Sequence, residues 1–72
     1  MKVLITFHTT HNVLTLEKYA KKENLEGRIV PVPRRFSASC GLSWMGPLET
    51  ESKLRELLEK YNIDFDKIYE LE

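Results

Sequence analysis

The chain reads as an α+β domain in which a strand–helix–strand unit occurs twice, a βαββαβ order that predicts the ferredoxin-like split βαβ fold. Three observations predict it. Apolar residues alternate at period two in "KVLITFH", and they recur at helical spacing in two later segments. Each helical segment is flanked by short β-branched or aromatic runs. One of these runs, "RIVPV", contains Pro31, and proline cannot donate to a ladder, so that strand belongs on an edge. The split βαβ order 4-1-3-2 puts the second strand on an edge for independent reasons. The expectation is therefore a four-stranded antiparallel sheet with both helices on one face. Strands one and three are expected at its centre, running in the same direction, and residues 1–72 form one domain.

The elements follow in order. Val3, Ile5 and Phe7 alternate with Lys2, Leu4 and Thr6, as in a half-buried strand. "TTHN" offers N-cap oxygens, and "VLTLEKYAKKENL" continues as a helix with Val13, Leu16 and Ala20 on one stripe. Glu17 precedes Lys21 by one turn, the lysines gather toward the negative end of the helix dipole, and Gly27 is expected to stop the helix. After the edge strand, "PRRFSAS" is a loop and "CGLSWM" a third strand. Pro47 suits the start of a second helix, and Glu49 and Glu51 suit its first turn. "ESKLRELLEKY" lines up Leu54, Leu57, Leu58 and Tyr61, supported by Glu51–Arg55 and Glu56–Lys60 pairs. "IDFDKIYELE" supplies the last strand.

A chain of 72 residues is near the lower limit for folding on its own core, which leaves room for a homodimer. Eleven basic and eleven acidic residues cancel overall. They are unevenly spread: residues 18–35 carry six basic and two acidic side chains, residues 49–72 eight acidic and four basic. Zero net charge argues against sequence-independent nucleic-acid binding. A single cysteine excludes an internal disulfide and an all-cysteine metal site within one chain, and it suits a reducing compartment. The first residues lack the apolar core and cleavage site of a signal peptide, and the uncharged run Val3–Leu16 is too short and polar to span a bilayer. A cytoplasmic location, with no membrane partner, is expected.

The chemistry converges on "PVPRRFSASCG". Cys40 has Arg34 and Arg35 upstream, and a guanidinium beside a thiol favours the nucleophilic thiolate. Ser37 and Ser39 hydroxyls and the Gly41 N–H are further donors for a sulfur anion, and a glycine lets another molecule approach the backbone. The competing reading is a small apolar filler: if the third strand is regular from its first residue, Cys40 shares the apolar face of Leu42 and Trp44. With the central strands running the same way, Cys40 falls where strand one begins, and His8 and His11 fall at the far end. A six-residue strand spans about 20 Å, which excludes a Cys–His dyad. Both helix N-termini are then expected at the histidine end, out of reach of the sulfur. "HTTH" has no third ligand nearby, so neither a metal nor a cofactor is expected, and its polar side chains suit a helix cap.

Other functions of this fold class fit poorly. A copper carrier would place a cysteine pair after strand one, where "HTTHN" stands. RNA recognition would need stacking aromatics on the central strands, and Phe7 and Trp44 alone do not supply them. An acylphosphatase-like hydrolase would want an arginine in the loop after strand one, and none is there.

The segments "LITFHTTHN", "GRIVPVPRRFSASCG" and the terminal "YELE" together resemble the small bacterial Se/S carrier protein-like family over nearly the whole chain. The most specific part is Pro33, Arg34, Ser37, Cys40 and Gly41, with Gly27 and Arg28 leading into it; Phe36 stands where an aliphatic residue is commoner. The resemblance implies a carrier rather than a turnover enzyme, with sulfur or selenium held on Cys40 as a persulfide or selenopersulfide. It implies a cysteine desulfurase or selenium-donor protein on one side and an acceptor protein on the other. The alternative is a non-catalytic binding or regulatory module, dimeric through an open sheet face that exposes Leu4 and one of Trp44 or Met45. In that reading Arg34 and Arg35 bind an anion and Cys40 is packing.

Overall fold

Alternation along Lys2–Thr6 builds strand β1, and the helical stripe of Val13, Leu16 and Ala20 builds helix α1, Thr10–Lys22. Strand β2 (Arg28–Pro31) and strand β3 (Leu42–Pro47) follow, then a 3₁₀ turn at Leu48–Thr50, helix α2 (Glu51–Lys60) and strand β4 (Lys67–Leu71). This computed structural model describes residues 1–36 and 40–72. The sheet is antiparallel throughout, in the order β2-β3-β1-β4, and β2 is an edge strand as Pro31 requires.

The central pair corrects the expectation that strands one and three run the same way: β1 and β3 are antiparallel, with Lys2 opposite Pro47 and Thr6 opposite Ser43. The chain path leaves no alternative. The crossover through α1 returns β2 in the direction of β1, and the β2–β3 connection then reverses the chain, so β3 must run against β1.

Val3, Ile5 and Phe7 from β1, Trp44 from β3 and the buried leucines of both helices form one core, which sets α1 and α2 over the same face of the sheet. Leu4 lies on the other face, yet it is 0% exposed, which corrects the expectation of an open apolar face there. Its ladder partners are Met45 and Tyr69. The β2–β3 connection reaches across β1 toward this position, and Phe36 packs on Tyr69 with ring centroids 4.2 Å apart. Trp44 is buried in the core, and Met45 is half-buried.

Element ends shift by a few residues for local reasons. Helix α1 starts at Thr10 because Thr9 caps it, its Oγ1 accepting the Asn12 N–H at 3.2 Å. It stops before Gly27, at Asn24 with φ 58°, and the Leu25 N–H closes onto the Ala20 carbonyl at 2.8 Å. Helix α2 ends in the same way, with Asn62 at φ 53° and the Ile63 N–H bonded to the Leu58 carbonyl at 2.8 Å. Gly27 has a different task. At φ 148° its α-carbon lies against the Trp44 indole, so close that a β-carbon would overlap the ring.

Candidate functional site

The β2–β3 connection is a pinched loop. At its neck the Val32 N–H bonds the Gly41 carbonyl at 3.0 Å, and within it the Phe36 N–H bonds the Pro33 carbonyl at 2.9 Å. That second bond closes a turn with Arg34 and Arg35 at its tip. Ser37 and Ser39 lie outside the described residues.

Cys40 sits in the turn just before β3, not within the strand. It is a free cysteine, half-buried, packed against the helix-side core. Leu42 brackets the sulfur: its N–H donates to Sγ at 3.4 Å, and its carbonyl lies 3.2 Å from Sγ. A thiol can use both contacts, because S–H donates to the carbonyl while the sulfur lone pairs accept the N–H. A thiolate keeps only the donor from Leu42. Gly41, at φ 75°, makes the turn possible, and among the described residues beyond its chain neighbours a β-carbon there would meet nothing within 4 Å.

The antiparallel register moves the histidines. The start of β3 lies beside the end of β1, so Cys40, His8, His11 and the N-terminus of α1 share one end of the sheet. The expected separation of about 20 Å across a strand does not apply, and distance no longer argues against cooperation between a histidine and the cysteine. The expectation that both helix N-termini lie together is also corrected. Helix α2 begins at the opposite end, where the Leu48 N–H bonds the Met1 carbonyl at 3.1 Å.

The arginines are placed differently from the sulfur. Arg34 and Arg35 are exposed, and the Arg35 guanidinium stands 5.1 Å over the Phe36 ring, which itself covers the sheet face away from the helices. Cys40 packs toward the helix face. The structure therefore groups Cys40, Gly41 and Leu42, and sets the Arg35 guanidinium over Phe36 on the other side of the sheet.

Sequence reasoning missed one cluster at the Cys40 end. Thr6, fully buried, donates from Oγ1 toward Asp66 Oδ2 at 3.4 Å, and His8 Nε2 stands 3.8 Å from Asp66 Oδ1. Its signal was the β1–β4 pairing, which sets Lys67 opposite Thr6 and so brings Asp66 beside the end of β1. Among the described residues, no three His, Cys, Asp or Glu side chains gather as a metal site would need, and no helix is long and apolar enough to cross a membrane.

A half-buried, lone cysteine in a glycine turn fits both packing and chemistry. The model of the family described as "Putative Se/S carrier protein-like" matches residues 2–70 of the 72-residue chain. The chain belongs to that family. No curated protein and no solved structure matches it. Within this Se/S carrier-like chain the matched span takes in β1, β2, β3, both helices and all of β4 but Leu71, together with Cys40 and the histidines.

Proposed function

We propose that this Se/S carrier-like protein holds one sulfur or selenium atom on Cys40, as a persulfide or selenopersulfide, and passes it from a donor protein to an acceptor. The observation that carries the reading is the Cys40–Gly41 turn: a lone, half-buried sulfur that accepts the Leu42 main-chain N–H, next to an exposed glycine. Exchange at sulfur needs a nucleophilic sulfur and access, and a loop on a small rigid sheet provides access without a deep pocket. Ser37, Ser39 and Gly41 are assigned to the surroundings of the cargo. Arg34 and Arg35 are assigned to docking, as two exposed guanidinium groups on the same loop suited to an acidic surface on a donor such as a cysteine desulfurase. The finer fold assignment is ferredoxin-like, from the βαββαβ order and the antiparallel sheet. A carrier with one unpaired thiol belongs in a reducing compartment, which we take to be the cytoplasm.

The test is direct. The protein is incubated with a cysteine desulfurase and free cysteine, or with a selenium donor, and intact mass is read for wild type and Cys40→Ala. A gain of one chalcogen atom that disappears in the variant supports the carrier. No gain in wild type, with a native thiol that resists alkylation, leaves a binding module in which Cys40 is packing.

A further inference from the structure

Charge is sorted by face in this protein. Leu4 lies on the side of the sheet away from the helices, and residues in register with it, or two places along a strand, share that side. The charged strand positions on that side are Lys2 on β1, Arg28 on β2 and Lys67 on β4, all basic. The Arg35 guanidinium joins them, 5.1 Å over the Phe36 ring, which packs on Tyr69 of the same side. Residues 32–41, which include this loop, contain no carboxylate. All four cations are exposed. Among the described residues none of the four is in an ion pair, whereas the lysine and arginine that are paired, Lys21 with Glu17 and Arg55 with Glu51, lie on the helices. Carboxylates reach only the rim of this face: Glu26 borders the cleft that Lys2 and Arg28 share, and Glu70 and Glu72 border the hollow beside Arg35.

The chain is neutral as a whole, yet four unpaired cations on one side give that side a positive local potential. Their spacing decides what kind of anion fits. Lys2 and Arg28 stand on strands separated by β3, so their α-carbons are about 10 Å apart or more. Lys67 pairs with Thr6, four residues beyond Lys2, about 13 Å along the strand. One phosphate or carboxylate cannot engage all of them, whereas a surface with spaced carboxylates can. Apolar burial has little to add there, because Leu4, Thr6 and Ser43 are already 0% exposed. A nucleic acid fits less well than a bounded acidic patch. Its unbroken negative charge would also meet Glu26, Glu70 and Glu72, and it would gain nothing from a chain of zero net charge.

Resting on the carrier reading, we infer that the sheet face away from the helices, through Lys2, Arg28 and Lys67 together with Arg35, is the docking face for an acidic surface on the protein that donates the chalcogen. Docking extends well beyond the loop tip, with one contact on each of three strands. Lys67 stands at the end of the sheet that holds Cys40, so the face runs up to the end where transfer takes place. Charges of this kind act on the rate of encounter and on its dependence on salt, not on the chemistry at sulfur.

Two triple variants separate this face from charge in general. The first carries Lys2→Gln, Arg28→Gln and Lys67→Gln; Arg35 is kept because it packs on Phe36. The second carries Lys18→Gln, Lys22→Gln and Lys53→Gln on the helices and loses the same charge. Each is offered sulfur by a cysteine desulfurase charged with free cysteine and, separately, by cysteine persulfide, and the gain on Cys40 is followed by quenched intact mass. The face variant is expected to take sulfur from the enzyme about 10-fold more slowly than wild type at low ionic strength. The difference should close near 1 M salt, where the screening length is about 3 Å. With cysteine persulfide all three proteins should react at one rate, and the helix variant should follow wild type with both donors. Equal slowing of the two variants with the enzyme, no slowing of the face variant, or slowing of the face variant with both donors would each overturn the assignment. So would a wild type that takes sulfur from the small persulfide and none from the enzyme. A single-stranded RNA oligomer retained by wild type and lost by the face variant would reassign the face to a polyanion and overturn it as well. Wild type that gains no sulfur from either donor would instead defeat the carrier reading on which the inference rests.

Discussion

Replacing Gly27 with alanine tests the packing on which the site's framework rests. An ideal β-carbon there would stand 2.6 Å from Trp44 Cζ2, 2.8 Å from Trp44 Cε2 and 2.8 Å from the Met45 carbonyl oxygen. None of these can withdraw easily. Trp44 is 1% exposed within the core, and β3 is hydrogen-bonded on both sides. Backbone strain at φ 148° contributes about 1–3 kcal/mol. Overpacking a filled core contributes about 1–3 kcal/mol more. The sum, about 2–6 kcal/mol, is large against a total stability of about 4–11 kcal/mol, taken at 0.05–0.15 kcal/mol for each of 72 residues. Trp44 is the only tryptophan, so its fluorescence reports unfolding directly. Urea titration of wild type and Gly27→Ala should show a lower midpoint with an unchanged slope. A loss below about 1 kcal/mol with unaltered native emission would refute the steric reasoning, because the ladder could then have absorbed a methyl group at no large cost.

Two further predictions rest on other parts of the molecule. Leu4→Ala should cost about 2–5 kcal/mol in the same titration, as for a sealed core leucine; a loss near zero would mean that the loop leaves this sheet face open. Glu70 titrates above the ordinary glutamate range, chiefly through a side-chain hydrogen bond with Glu51, then through the charge of Glu51 and some desolvation, with Arg55 opposing. The native state therefore holds this proton more tightly than the unfolded chain, so its contribution is full at acidic pH and is lost as pH rises through the folded-state titration. Glu70→Gln should flatten that decline in urea midpoints between acidic and neutral pH, and a variant that tracks wild type throughout would contradict the pairing.

Much of the framework was legible along the chain. The period-two run of β1, the leucine stripe of α2 and the edge position forced by Pro31 each follow from residues close in sequence, because periodicity and a missing N–H are local properties. Helix ends were less legible, since Asn24 and Gly27 both tolerate positive φ and only the fold shows that Asn24 stops α1 and Gly27 admits the indole. The cysteine itself was legible as the one candidate nucleophile, with Gly41 beside it. Its surroundings were not.

Tertiary structure decided what stands near the sulfur. Which end of the sheet holds Cys40 depends on the direction of β3 relative to β1, a long-range matter set by one crossover and one reversal of the chain. The same long-range path brings Asp66 to Thr6 across 60 residues of sequence. It also carries Phe36 to Tyr69, the ladder neighbour of Leu4, and sets the Arg35 guanidinium over that ring, away from the core side of the sheet. Residue types are written in the chain, but proximity is a consequence of how the strands are threaded.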